Sequence, residues 1–115
     1  MVHRQLNASE LLLWLFRRRR RFRVNGDSMR PLLEPGDEVL VDPRAYRRTP
    51  PQIGDVVIAR HPFRRDVRLI KRVTKVLDGD RYELRGDNPA ASTDSRTFGA
   101  VPRRHLLGKV TARWL

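Results

Sequence analysis

Val67-Arg68-Leu69-Ile70-Lys71-Arg72-Val73-Thr74-Lys75-Val76-Leu77, then Asp78-Gly79-Asp80, then Arg81-Tyr82-Glu83-Leu84, decides how this chain folds. A long run rich in branched apolar residues meets an Asp-Gly turn signal and a second alternating run, which predicts a β-hairpin. Working outward, Glu38-Val39-Leu40-Val41 follows the turn Pro35-Gly36-Asp37, and Asp55-Val56-Val57-Ile58-Ala59-Arg60 follows Ile53-Gly54. Leu107 to Trp114 reads as a last strand, while Gly86 to Gly99 is polar and turn-rich without a strand pattern. The 8 prolines and 7 glycines fall at these breaks and support a compact, mainly β domain with a small barrel-like or folded-over sheet. Before the strands, Asn7 is a candidate helix cap, with Glu10 completing a capping-box pattern for a helix running to about Phe16.

Strand residues alternate between faces. Val67, Leu69, Lys71, Val73 and Leu77 therefore fall on one face, with Arg68, Ile70, Arg72, Thr74 and Val76 on the other. Lys71 stands among apolar neighbours while Arg72 points away. Burial favours the neutral form of a lysine. From alternation alone, the ordinary expectation is that Lys71 extends its ammonium to the rim.

A chain of 115 residues is the size of one domain. It holds no cysteine, which removes disulfides, thiolate metal sites and cysteine nucleophiles. The 3 histidines lack metal-ligand spacing, so no metal or other cofactor is expected. With 39% hydrophobic and 33% charged residues, the composition is that of a globular domain with a crowded surface. The net charge of +12 predicts attraction to something anionic.

Part of that charge is concentrated. Arg17 to Arg21 is an unbroken basic run, preceded by Leu11-Leu12-Leu13-Trp14-Leu15-Phe16. The apolar run is far shorter than the ~20 residues that span a bilayer. Its charges follow it and no small-residue cleavage site comes next, unlike a secretory signal. Two readings stand side by side: a helix packed on the domain with a solvated basic end, or an interfacial anchor whose arginines meet anionic headgroups. Residues 1–21 form this segment and 22–115 the domain proper. The expectation is a cytoplasmic protein with peripheral contact at a membrane surface. No nucleic acid is expected, because no aromatic–basic interleaving continues downstream.

Ser28 lies in the turn-rich Val24-Asn25-Gly26-Asp27-Ser28-Met29-Arg30-Pro31. A serine hydroxyl needs a base to become a nucleophile, and a desolvated lysine can be that base. Taken alone, Ser28 is an ordinary turn serine.

Three segments in order resemble the boxes of the signal peptidase I family, the membrane-associated serine–lysine proteases. Gly26-Asp27-Ser28-Met29-Arg30-Pro31 with Pro35-Gly36-Asp37 resembles the nucleophile box, and Arg68-Leu69-Ile70-Lys71-Arg72-Val73 the lysine box. Gly86-Asp87-Asn88-Pro89-Ala90-Ala91-Ser92-Thr93-Asp94-Ser95-Arg96-Thr97-Phe98-Gly99 is similar to the third signature, and Gly54-Asp55-Val56-Val57-Ile58 is a weaker fourth match. The short hairpin between the second and third boxes and the lack of a spanning segment most resemble the nickel-type superoxide dismutase maturation proteases. The resemblance implies the compact folded sheet shared by signal peptidase I and the SOS repressors. It also implies a protein substrate, whose short N-terminal leader is removed to free a histidine amine that helps bind nickel; the protease itself needs no metal.

By that resemblance Ser28 is the nucleophile, Lys71 the base, and Ser92 the residue that orients the lysine amine. Asp94 and Arg96, with Asp87, Asn88 and Ser95, brace the loop behind the site. Gly26, Met29 and Pro31 shape the turn and a small-residue pocket, and the backbone N–H of Ser28 is one oxyanion donor. Gly26 stands where relatives often carry a serine that gives the second donor. That donor could then be a water, another backbone N–H or a different side chain.

Other readings remain: a general signal peptidase acting on secretory precursors, a Ser–His–Asp hydrolase using His61 or His105, or a non-catalytic basic β domain that binds nucleic acid or membrane.

Overall fold

The structure, a computed structural model, describes residues 5–91 and 98–114. One antiparallel sheet of seven strands organises the chain: β1 (Arg20–Arg23), β2 (Glu38–Asp42), β3 (Val56–Arg60), β4 (Arg68–Leu77), β5 (Arg81–Arg85), β6 (Val101–Pro102) and β7 (Leu106–Arg113). Their order is β1-β2-β7-β3-β4-β5-β6. The last strand inserts between β2 and β3, and the sheet curls into a half-barrel. The mainly β, barrel-like architecture with a short helix is the one the sequence predicts.

Alternation along the central strands builds two cores, one on each face. Val56 and Ile58 of β3 pack with Val39, Val41, Ile70 and Val110 over one face, together with Val24, Met29 and Leu33 from the loop after β1. Val57 and Ala59 point the other way, into Val73, Tyr82, Leu84, Val101 and Leu106. A sheet covered on both sides needs apolar residues at consecutive positions, and β3 supplies them. Curvature requires close approach at one point. A side chain at Gly108 would meet Val41 Cγ1 at 2.5 Å and the Asp42 carbonyl oxygen at 2.9 Å, beside the register shift between Leu40 and Val41.

The face assignment along β4 holds only to Val73. Register shifts between Val73 and Lys75, and beyond it Val76 opposes Tyr82 and Leu77 opposes Arg81. Directly opposed residues share a face. Val76 therefore rejoins the side of Val73, and Leu77 leaves it, the reverse of strict alternation. The extra residue of a bulge resets the period.

The helix α1 (Ala8–Leu15) starts as expected, with Asn7 Oδ1 accepting the Glu10 backbone N–H at 2.9 Å. The capping box is only half formed. The Glu10 carboxylate turns inward instead, accepting from Arg19 Nε at 3.1 Å and from Thr111 Oγ1 at 2.6 Å. Glu10 is 3% exposed, so it fastens the helix to β7 and to the chain entering β1. Trp14 packs edge-on against Trp114 at 4.9 Å, and the Arg21 guanidinium lies over Trp114 at 4.4 Å. Among the described residues no helix is long and apolar enough to cross a membrane.

Candidate active site

Lys71 is where β3, β4 and the turn after β1 converge. It opposes Val57, a fully buried residue of the central strand, and is itself 3% exposed. The rim-directed lysine expected from alternation is not what forms. The half-barrel covers both faces of β4 here, so Ile70 and Lys71 are buried side by side.

Ser28 reaches the same place from the other direction. A small cavity of about 70 Å³ is lined by Ser28 and Lys71, with Phe22, Asn25, Arg68, Leu69 and Ile70. Met29, beside Ser28, is completely buried in the core and pins the turn to the sheet. Leu33 N–H donates to the Met29 carbonyl at 2.9 Å, closing the loop behind it. Gly26 adopts φ +77°, a left-handed conformation that glycine takes without the steric cost of a side chain. Open space surrounds the position its Cβ would occupy. The Arg30–Pro31 peptide is cis. Gly26 and Pro31 are exposed, and neither they nor Met29 belong to the lining of the Ser28 cavity.

The loop after β5 ties these pieces together. Asn88 N–H donates to the Ser28 carbonyl at 2.8 Å, and its Nδ2 donates to the Asp27 carbonyl at 3.1 Å. Its neighbour Asp87 accepts two hydrogen bonds from Arg72, Nε to Oδ1 and Nη2 to Oδ2, both at 2.9 Å. The third arm of Arg72 donates to the Gly54 carbonyl at 2.9 Å. The Arg72 pKa is raised, first by the hydrogen bond to Asp87, against an opposing effect of burial. A bidentate pair fixes orientation as well as distance. Arg72 thus locks the strand next to Lys71 to the loop that holds the backbone of Ser28. Sequence reasoning found Asp87 and Asn88 but missed Arg72. Its position after the lysine, pointing to the opposite face, was the available signal.

The Gly54-Asp55 match is also structural. Asp55 is buried and accepts from Tyr46 Oη at 2.8 Å and Gln52 N–H at 3.1 Å, while Val73 N–H donates to the Asp55 carbonyl at 2.8 Å. The Tyr46 pKa is pushed up, first by burial and next by that hydrogen bond. Ser92, Asp94, Ser95 and Arg96 lie outside the described residues. His61 Nδ1 accepts the Phe63 N–H at 3.1 Å, His105 Nδ1 sits 3.4 Å from the Arg60 carbonyl, and neither histidine lines the Ser28 cavity.

Known proteins are similar to this chain in sequence. The family described as signal peptidase, peptidase S26, matches residues 8–85 and 74–115. The chain is 34% identical to the mitochondrial ATP-independent inner membrane protease subunit 1a of Arabidopsis thaliana, over 78% of this chain and 67% of that protein. It is 26% identical to a probable signal peptidase I-1 of Synechocystis, over 79% of this chain and 68% of the relative. To the mitochondrial inner membrane protease subunit 1 of Xenopus tropicalis it is 29% identical, over 77% and 65%. The chain thus spans about two thirds of the length of these relatives. The family match covers both the turn at Ser28 and the strand at Lys71, and the chain belongs to the signal peptidase family of proteases, peptidase S26.

Proposed function

We propose that the chain is a serine endopeptidase that uses Ser28 and Lys71 to remove a short N-terminal leader from a precursor protein. The carrying observation is the shared cavity: a half-buried serine and a buried lysine line the same small space. Ser28 Oγ attacks the scissile carbonyl as neutral Lys71 accepts its proton. The proton passes to the leaving amine, and an acyl-enzyme remains on Ser28. Water then attacks the ester, Lys71 takes a proton from it, and Ser28 is regenerated. Ser92 orients the lysine amine, and Asp94, Ser95 and Arg96 brace its loop. The Ser28 backbone N–H is one donor to the oxyanion. Asn88 supports this geometry by holding the carbonyl side of Ser28.

The substrate in this reading is a nickel-type superoxide dismutase precursor, and the protein works in the cytoplasm at a membrane surface. Residues 1–21 make the surface contact and 22–115 form the protease domain. Exposed apolar side chains on and just after α1 support the contact: Leu12 is 53%, Leu15 58% and Phe16 76% exposed, beside the arginine run. The relatives named for the mitochondrial inner membrane favour a second reading, general leader removal from exported precursors. One experiment separates them: incubation with a nickel superoxide dismutase precursor beside a secretory precursor. Trimming of the first alone supports the narrow reading, and trimming of the second alone replaces it with the general one. Replacing both His61 and His105 should leave cleavage intact.

A further inference from the structure

The Ser28 cavity adjoins a larger groove of about 290 Å³, and Phe22 and Arg68 line both. Arg20, Arg21, Arg60, Arg65 and Arg68 form its walls, and no acidic residue takes part in its lining. Ile58, Leu107 and Val41 supply an apolar floor. These arginines come from β1, the end of β3, the following loop and the start of β4. Only the curl of the sheet brings them together.

Some arginines elsewhere find carboxylates: Arg19 meets Glu10, Arg72 meets Asp87, and Arg103 meets Asp80. In the groove, Arg21 pairs with Glu38. Arg20, Arg60, Arg65 and Arg68 have no ion-pair partner among the described residues. Part of the unbalanced positive charge of the molecule thus gathers beside the candidate nucleophile. Guanidinium groups stay charged at any physiological pH and match carboxylates in a planar, two-bond geometry. Crowding them without counter-charge leaves repulsion that an anionic ligand relieves.

We propose that this groove selects the substrate, by binding an extended peptide segment that carries Asp or Glu between apolar residues, next to the scissile bond. The proposal rests on the Ser28–Lys71 reading for the direction of the chain through the site. A peptide fits better than the other polyanions. The apolar floor has no counterpart in a phosphate backbone, and Phe22 is the single aromatic side chain in the lining, which gives bases little to stack on. The concave shape does not suit a flat lipid surface.

Binding is measured on the full-length Ser28→Ala protein, so that no probe is consumed. Two labelled octapeptides are compared by fluorescence anisotropy, one alternating Leu with Glu and one alternating Leu with Gln. The Glu peptide should bind about tenfold more tightly, from a few partly exposed charge pairs. Raising the salt should shrink the difference. Arg60→Glu combined with Arg68→Glu should abolish the preference, and Arg65→Glu, in the exposed loop between β3 and β4, should weaken it in a fold left intact by thermal melting. Equal binding of the two peptides overturns the proposal, as does a preference unchanged in these variants. A single-stranded oligothymidine or phosphatidylglycerol vesicles that displace the Glu peptide as well as unlabelled Glu peptide does also overturn it. Cleavage by the wild-type chain keeps the two ideas apart. Ser28-dependent cleavage indifferent to substrate charge removes the groove and leaves the protease, whereas a charge preference in binding with Ser28-independent cleavage removes the dyad and leaves the groove.

Discussion

Two neighbouring spaces treat a basic side chain in opposite ways. In the small cavity Lys71 is 3% exposed, with Ser28 in the same lining and fully buried Val57 opposite. In the adjoining groove, exposed arginines stand over an apolar floor, and Arg20, Arg60, Arg65 and Arg68 have no ion-pair partner among the described residues. Taking an ammonium out of water favours the neutral amine, which can accept a proton. A guanidinium in water keeps its charge and can only attract or bind. In the proposed reading, residue type and burial together divide the labour: lysine for chemistry, arginine for recognition.

The sharpest way to break this division is at the proposed nucleophile. Ser28→Ala should lower kcat/KM for precursor cleavage by ~10⁴-fold or more, read by gel or mass spectrometry. Activity near the wild-type level would remove the cavity from the mechanism. Next comes the brace between cavity and loop. Asp87→Ala strands the Arg72 guanidinium, whose pair is partly open to solvent, with Asp87 21% exposed. The cost should be about 1–2 kcal/mol in chemical denaturation, with activity falling roughly 10–100-fold as Ser28 and Lys71 lose register. Asp87→Asn, which keeps one acceptor, should recover part of both. An Asp87→Ala enzyme with normal turnover would show that the brace does not position the site.

Smaller effects sharpen the comparison. Gly26→Ser has room for its side chain but must hold φ near +77°. It should cost about 1–2 kcal/mol of stability and raise kcat if a hydroxyl at this position serves as the second oxyanion donor; a lower kcat would exclude it. The smallest effect is at alkaline pH. Tyr46 and Tyr82 both have raised pKa values, from burial first and then from the hydrogen bonds to Asp55 and Asp80. A tyrosine whose folded pKa lies above its unfolded value of about 10 keeps its contribution below that pH and loses it as the pH rises beyond. Melting temperature should therefore fall above about pH 10, and Tyr46→Phe should flatten that fall while leaving the share of Tyr82. An unchanged slope would mean that burial and the Asp55 hydrogen bond do not hold the Tyr46 phenol neutral in solution.

What could be read from the chain followed from local pattern. The strands after Pro35-Gly36-Asp37 and Ile53-Gly54, the hairpin at Asp78-Gly79-Asp80 and the cap at Asn7 are set by turn chemistry and alternation, and all form. Arg20–Arg23 escaped because an edge strand needs no apolar face beyond Phe22 and tolerates charge. Val101–Pro102 is too short to carry a period. Glu10 satisfied a local capping pattern, yet a partner 101 residues away in sequence claims its carboxylate. The candidate site divides in the same manner. Motif resemblance marked Ser28, Lys71, Asp87 and Asn88. The burial of Lys71, the Arg72 brace and the arginine groove depend on which strands the curled sheet brings together, and no local window contains that information.

The central claim is that a buried lysine supplies the base. Its most direct test is the cleavage rate of a leader-bearing precursor by wild-type, Lys71→Ala and Lys71→Arg proteins, each shown to be folded by thermal melting. Both variants should be inactive, because alanine has no base and arginine retains its proton. Normal turnover by Lys71→Ala, or restoration of turnover by Lys71→Arg, would contradict the account.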